Sequence, residues 1–306
     1  MRPKNFLKHA ATLALKIGIS VALLALVLSR VPLHEAWAAA AGLVPQTAAL
    51  SVVGYFAAHV INAAKLRVLL PGLSLWQAWR FTMIGVLFGL ALPGQLAGDA
   101  VKALRLARAA PDVGEVTAAV AAVAVDKIIG MFALLLLTAV GLTLNAATFG
   151  HAVVIAAAAV TVLIPAALVT VLAAPLPKWL GTWGQEFAAW RTVALTRDAL
   201  LRSLAFGLVF QMVSIASVYL LGDSLGIGLP FTAWAVIVGL TSVILMLPVT
   251  VAGLGLREGS LVAVLAMLGE GTGQALALSF ALLAMNLLGA GVGLIVDLAG
   301  RDKASG

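Results

Sequence analysis

Apolar residues run along this chain in long blocks, and the length of each block predicts its elements better than any short period does. Six blocks, 10–30, 44–64, 116–141, 151–174, 203–222 and 274–298, reach the roughly 20 residues a membrane-crossing helix needs. Four more, 81–92, 97–109, 231–247 and 255–268, are only about 12 to 17 residues long and fall short of that span. They flank two related stretches, LPGQLAG at Leu92–Gly98 and LPVTVAG at Leu247–Gly253, so LPxxxAG occurs twice. Proline removes a backbone donor and glycine weakens a helix, so each apolar run should break there. A chain broken at membrane depth is tolerated only where protein or a water-filled cavity covers the freed backbone groups. Each short pair is therefore expected to form a hairpin that enters and leaves by one face. The pattern predicts an all-α polytopic membrane protein of eight membrane segments: six spans plus two re-entrant helical hairpins.

Charge favours the same arrangement. With the N-terminus cytoplasmic and both hairpins re-entrant, 16 of the 19 basic residues fall on or towards the cytoplasmic side, including Lys65, Lys102, Arg105 and Arg108. Arg30 lies outside, while Lys127 and Arg257 sit within membrane segments. Two ordinary crossings in place of the first hairpin would turn Lys102, Arg105 and Arg108 outward, against the positive-inside rule. Each half then contains three crossings, an odd number, so the halves run antiparallel. This predicts two inverted repeats, 1–141 and 151–300, which bring the two broken segments face to face near the bilayer midplane.

Composition excludes a soluble protein. Hydrophobic residues make up 63% and charged residues 10% of the chain, with a mean hydropathy of +1.13. No polar block could form a second, soluble domain, so residues 1–306 are read as a single membrane domain. Cysteine is absent, which removes disulfides, thiolate metal sites and cysteine nucleophiles. The net charge of +7 comes from basic residues that flank apolar runs, which suits anionic lipid headgroups and topology and not nucleic acid. Arg2, Lys4 and Lys8 before an apolar run resemble a signal peptide, but with many spans following a first helix is the simpler reading. Trp179, Trp183, Phe187 and Trp190 share one helical face, predicting an interfacial amphipathic helix over 178–191 on the cytoplasmic surface. Trp76 and Trp79 beside Arg80 read as an aromatic belt.

Ionisable groups inside a bilayer are expensive, so they mark candidate chemistry. Asp99 and Lys102 stand at i and i+3 just past the first break, where a local ion pair is the bland alternative to substrate binding. Arg257 and Glu258 stand in GLGLREG, beside the second break. Asp126 and Lys127 are adjacent on span three, about 100° apart around the helix, so each should find a different partner in a hairpin. Tyr55, His59 and Asn62 recur at i, i+4 and i+7 of span two and form one polar stripe facing inward, or simply hydrogen bonds between helices. Gly98, Gly253 and Gly255 at the breaks are expected to line the same cavity. The four histidines are far apart, and no zinc-binding spacing, serine nucleophile elbow or phosphate-cradling P-loop is present. No cofactor or metal is expected, and no catalytic residue is assigned.

The segments LPGQLAGDAVKALRLAR at 92–108, VDKIIGMFALLLL at 125–137 and LPVTVAGLGLREGSL at 247–261 together resemble the flippase-like membrane domain of the lysylphosphatidylglycerol synthases. GLGLREG is the most specific of these pieces. The resemblance covers most of the chain by order and spacing, and matches the family at Gly98, Asp99, Lys102, Asp126, Lys127, Gly253, Gly255, Arg257 and Glu258. Lys102 and Lys127 depart from the family in standing where arginine is expected, and Val249-Thr250 replace a glycine-rich lead-in. The aminoacyl-transferase domain of the full-length synthases has no counterpart here. The resemblance implies movement of a phospholipid or lipid-linked headgroup between leaflets of a bacterial inner membrane, without headgroup synthesis; the charge distribution puts both termini on the cytoplasmic side. Arg257 and Lys102 would hold the lipid phosphate, with Glu258 and Asp99 taking an amine or a coupling proton. Membrane lipid, an anionic or zwitterionic phospholipid, is the expected partner, with a homodimer or a lipid synthase as further partners. A membrane enzyme acting on lipid-linked phosphate, or an accessory subunit of a lipid or glycolipid synthase, are the alternative readings.

Overall fold

A computed structural model describes residues 33–92, 95–109, 116–149, 181–245, 250 and 253–301, with isolated helical positions at 21, 25, 26, 155, 159 and 163. The expected spans 10–30 and 151–174, and both prolines of the LPxxxAG stretches, fall largely or wholly outside these residues. Among the described residues every regular element is helical. In chain order they are α1 (Leu33–Ala41), α2 (Pro45–Leu69), α3 (Leu75–Ala91), α4 (Gln95–Ala109) and α5 (Val116–Leu144), followed by a short turn of helix at Ala146–Phe149. Then come α6 (Gly181–Ala194), α7 (Arg197–Ser224), α8 (Phe231–Leu245), α9 (Leu256–Met267) and α10 (Thr272–Arg301).

Helices α2, α5 and α7 and the stretch Thr272–Ala299 of α10 are long and apolar enough to cross a membrane. Helices α3, α4, α8 and α9, of 17, 15, 15 and 12 residues, adjoin the two breaks. At 1.5 Å per residue these four reach only about 18–26 Å, short of the roughly 30 Å hydrocarbon core. Large apolar side chains stand outward, as at Leu288 (54% exposed) and Ile295 (67%). Lipid tails are as apolar as leucine, so that exposure carries no penalty in a bilayer.

The helix ends follow from local sequence. Pro45 occupies the first turn of α2, where its missing donor is harmless. Ser74 and Gln77 form a reciprocal capping box that starts α3. Thr196 accepts the Ala199 N–H to start α7, with Asp198 in the first turn and ion-paired to Arg202. The unforeseen element is α1, a helix too short for a block-length reading to register. It packs on α10.

Packing relies on small residues where backbones approach. Helix α2 crosses α7 at Gly54, where an added Cβ would strike Ser217, and Ser51 Oγ donates to Ser217 O at 2.8 Å. A Cβ on Gly98 of α4 would strike Gly85 and Gly89 of α3, so the first hairpin closes glycine on glycine. Buried apolar side chains gather into two principal clusters. One spans Ala63–Ile129 of α2–α5 and the other Ile215–Met285 of α7–α10. Helix α3 also packs on α10, and α8 on α5, tying the two halves together.

Candidate functional site

A cavity of about 450 Å³ opens between the two clusters. Helix α2 contributes Tyr55, His59, Asn62 and Lys65; α4 gives Asp99 and Lys102; α5 gives Asp126 and Lys127. Gly253 and Arg257 at the second break and Asn286 of α10 complete the far wall. The inward stripe expected on α2 is therefore present, and it extends one turn further than the sequence suggested, to Lys65.

The charged residues form one continuous chain. Lys65 Nζ lies 3.4 Å from Asp126 Oδ1 and donates to the Asp126 carbonyl at 3.0 Å. Asp126 Oδ2 lies 3.8 Å from Lys102 Nζ, which lies 3.2 Å from Asp99 Oδ1. Asp99 Oδ2 in turn lies 3.2 Å from Lys127 Nζ. Adjacent Asp126 and Lys127 thus reach different partners, as the helical geometry requires, and both touch the first hairpin. Burial grades along the chain: the side chains of Lys65, Asp126 and Lys102 are 2–4% exposed, Asp99 23% and Lys127 37%. A buried charge is tolerable only when paired, and here each carboxylate serves two ammonium groups.

Lys65 is a site residue that sequence reading missed. Its position near the end of an apolar block suggested a cytoplasmic flank, but α2 continues to Leu69 and encloses it. Gly130 makes room, since a Cβ there would come within 2.9 Å of Lys65 Nζ. The ammonium also lies 5.6 Å from the centre of the Phe210 ring, a cation–π contact. Gln211 of α7 donates to the Gly130 carbonyl at 2.9 Å and ties α7 to this end of the cavity.

About ten residues, or roughly 15 Å, back along α2 the cavity has a second, less charged end. Tyr55 Oη donates to Asn286 Oδ1 at 3.5 Å, and the ring meets His59 edge-on at 4.5 Å. Arg257 is 8% exposed and within electrostatic reach of Tyr55. Its neighbour Gly253 has a φ of +75°, and Gly255 a φ of +78°, a left-handed backbone that strongly favours glycine. These two positions account for the first two of the three glycines of GLGLREG.

Three expected site residues stand elsewhere. Glu258 does not line the cavity: it is fully buried, with Oε2 accepting the Gly255 N–H at 2.6 Å and Oε1 accepting Ser279 Oγ–H at 2.9 Å. Three residues into the helix, it satisfies an orphan donor at the start of α9, so its position is that of a cap, not of a ligand contact. Gly255 is buried in the same turn. Gly98 is consumed by the α3–α4 contact instead of facing the cavity, leaving Gly253 as the lining glycine of the three. Asp297, also unforeseen, is 2% exposed; its Oδ2 accepts from Arg105 Nη2 at 3.3 Å and its Oδ1 lies 3.3 Å from Nη1, an ion pair that pins α4 to α10. No group of histidine and acidic residues suited to a metal occurs among the described residues.

A family model described as the lysylphosphatidylglycerol synthase TM region matches residues 13–288. The match includes every charged residue of the cavity. Searches of curated proteins and of solved structures return no match.

Proposed function

Because this chain belongs to the lysylphosphatidylglycerol synthase transmembrane-region family, we propose that it carries a phospholipid or lipid-linked headgroup between the leaflets of a bacterial inner membrane. The observation that carries this reading is the cavity itself. It sits among apolar, membrane-length helices, yet its wall holds four cationic and two acidic side chains from α2, α4, α5 and the start of α9. Ionisable groups at such depth face pathways for polar cargo, and breaks in paired segments supply backbone where cargo crosses. In this reading the headgroup enters the cavity while the acyl chains remain in lipid, and the protein acts as a transporter rather than an enzyme. Lys127 at one end of the cavity and Arg257 at the other contact the phosphate in turn; Asp99 and Asp126 hold the lysines in place, with Lys102 behind Lys127; Tyr55, His59 and Asn62 provide neutral polar contacts.

The inverted-repeat arrangement is part of the proposal, and the packing supports it. Shifting every label by five exchanges α1 with α6, α2 with α7, α3 with α8, α4 with α9 and α5 with α10. Under that exchange the pair α3–α10 becomes α8–α5, α4–α5 becomes α9–α10, and α1–α10 becomes α6–α5; all six are packed pairs. The central pair α2–α7 maps onto itself. Backbone approach repeats as well: a Cβ on Gly141 of α5 would strike Thr232 O of α8, and one on Gly293 of α10 would strike Met83 O of α3. A twofold axis between α2 and α7 accounts for these correspondences. We read the short pairs α3–α4 and α8–α9 as re-entrant hairpins from opposite faces, with both termini cytoplasmic.

The test is transport by the purified full chain in vesicles. A fluorescent phospholipid in the inner leaflet should become accessible to an impermeant quencher faster than in empty vesicles. Arg257→Lys, which keeps the charge but loses the planar fork, should remove most of that gain. Equal rates with and without protein would refute lipid movement.

A further inference from the structure

The charges of the cluster do not balance. Three lysines, 65, 102 and 127, meet two carboxylates, Asp99 and Asp126, and no other acidic side chain among the described residues lines the cavity. In their ordinary ionised states the five groups carry one positive charge more than they cancel. Held at membrane depth, such an excess is costly unless an anion joins it.

The excess is also directed. Lys65 is enclosed by Asp126 and Phe210, and Lys102 lies between both carboxylates, each ammonium almost fully buried. Lys127 is 37% exposed and reaches only Asp99 in the cluster, so the accessible positive end is there. Asn62, Ser214 and Ser242 add a neutral amide and hydroxyls to the cavity wall. Such groups suit the hydroxyls of a glycerol or sugar, and although they can accept from an ammonium they supply no negative charge to offset it.

Resting on the translocation reading for the identity of the site, we infer that this cavity selects a headgroup of net negative charge: a phosphate ester seated at Lys127, bearing hydroxyls and no ammonium. An ammonium would enter a region that is already positive, and both nearby carboxylates are already engaged by lysines. A lysylated phosphatidylglycerol, with two ammonium groups against one phosphate, is therefore a poor ligand for this chain, despite the family's name.

The full-length protein in detergent is offered equal amounts of phosphatidylglycerol, phosphatidylethanolamine and lysyl-phosphatidylglycerol, and retained lipid is read by native mass spectrometry. Phosphatidylglycerol should be retained over each of the others by about tenfold or more. Lys127→Gln balances the cluster and should bring the ratio towards one; Asp99→Asn adds to the excess and should raise it. Opposite shifts from two neighbouring substitutions distinguish charge selection from general loss of structure. Glycerol 3-phosphate separates the sources of the anion. Displacement of the lipid by this soluble ester assigns the site to phosphate esters at large, and failure to displace assigns it to acylated anions; both agree with an anionic ligand. Equal retention of the three lipids, preference for the lysylated lipid, or a ratio unmoved by both substitutions would overturn the inference. Movement of lipid in vesicles without this selectivity leaves transport standing and removes the inference, whereas selectivity without movement does the reverse.

Discussion

Replacing Asp126 with asparagine removes one charge from the cluster while keeping the side-chain shape. Lys65 then loses a carboxylate at 3.4 Å and Lys102 one at 3.8 Å, but Lys102 keeps Asp99 and Lys65 keeps the Asp126 carbonyl. At 3.4 Å and an effective dielectric of about 20, the lost attraction on Lys65 is about 5 kcal/mol. Removing one partner of a buried pair costs about 3–5 kcal/mol in practice, and the retained carbonyl contact argues for the lower end, about 3 kcal/mol. The informative companion is Lys65→Met. Made alone it leaves Asp126 with Lys102 at 3.8 Å as its remaining ammonium partner; in Lys65→Met/Asp126→Asn both charges of the pair are gone, and the double variant should fall within about 2 kcal/mol of the parent. Unfolding of all four proteins by denaturant in mixed micelles gives the cycle. An interaction term of about 2 kcal/mol or more is expected. Effects that simply add to within about 0.5 kcal/mol would show that Lys65 and Asp126 do not act as a pair, and the cluster geometry would be wrong.

Gly98→Leu should destabilise by about 1–3 kcal/mol in the same assay, because α4 cannot retreat from the Gly85 and Gly89 backbone; an unchanged midpoint would contradict the glycine-on-glycine contact. Glu258→Gln should cost about 1–3 kcal/mol of stability, since an amide group cannot accept from both the Gly255 N–H and the Ser279 hydroxyl. Lipid selectivity should be unchanged in that variant, and altered selectivity at full stability would return Glu258 to the ligand site. Arg108, exposed near the end of α4, offers a topology test: Arg108→Cys in this cysteine-free chain should react with an impermeant maleimide only from the cytoplasmic side. Labelling from outside would exclude the first re-entrant hairpin.

The long helices were legible because a block of apolar residues long enough to cross a bilayer has few other uses; α5 and α10 lie within a few residues of their expected bounds. So were the charged positions, since Asp99, Lys102, Asp126 and Lys127 are conspicuous in apolar surroundings. What could not be read was the partnership of each charge. Lys65 and Arg67 both follow the apolar block of span two, and only the continued helix distinguishes the enclosed Lys65 from a surface lysine. Asp297 was hidden for the same reason, lying near a helix end where an acidic residue is unremarkable. Glu258 carried a usable signal that charge alone obscured: it stands three residues after Gly255, the spacing of an N-terminal cap. The short α1 had no such signal, because nine residues of Ala-rich sequence fit neither a span nor a loop.

The cavity as the path of the headgroup is tested most directly by plugging it. Asn62 lines the middle of the cavity, whereas Leu288 of α10 is 54% exposed on the apolar surface. Asn62→Cys and Leu288→Cys, each the sole cysteine of its chain, are reconstituted with a fluorescent anionic phospholipid and modified to completion with a bulky maleimide. Lipid movement should fall to the empty-vesicle rate when position 62 is modified and stay unchanged when position 288 is. Full movement through a chain completely modified at 62 would contradict a path through this cavity.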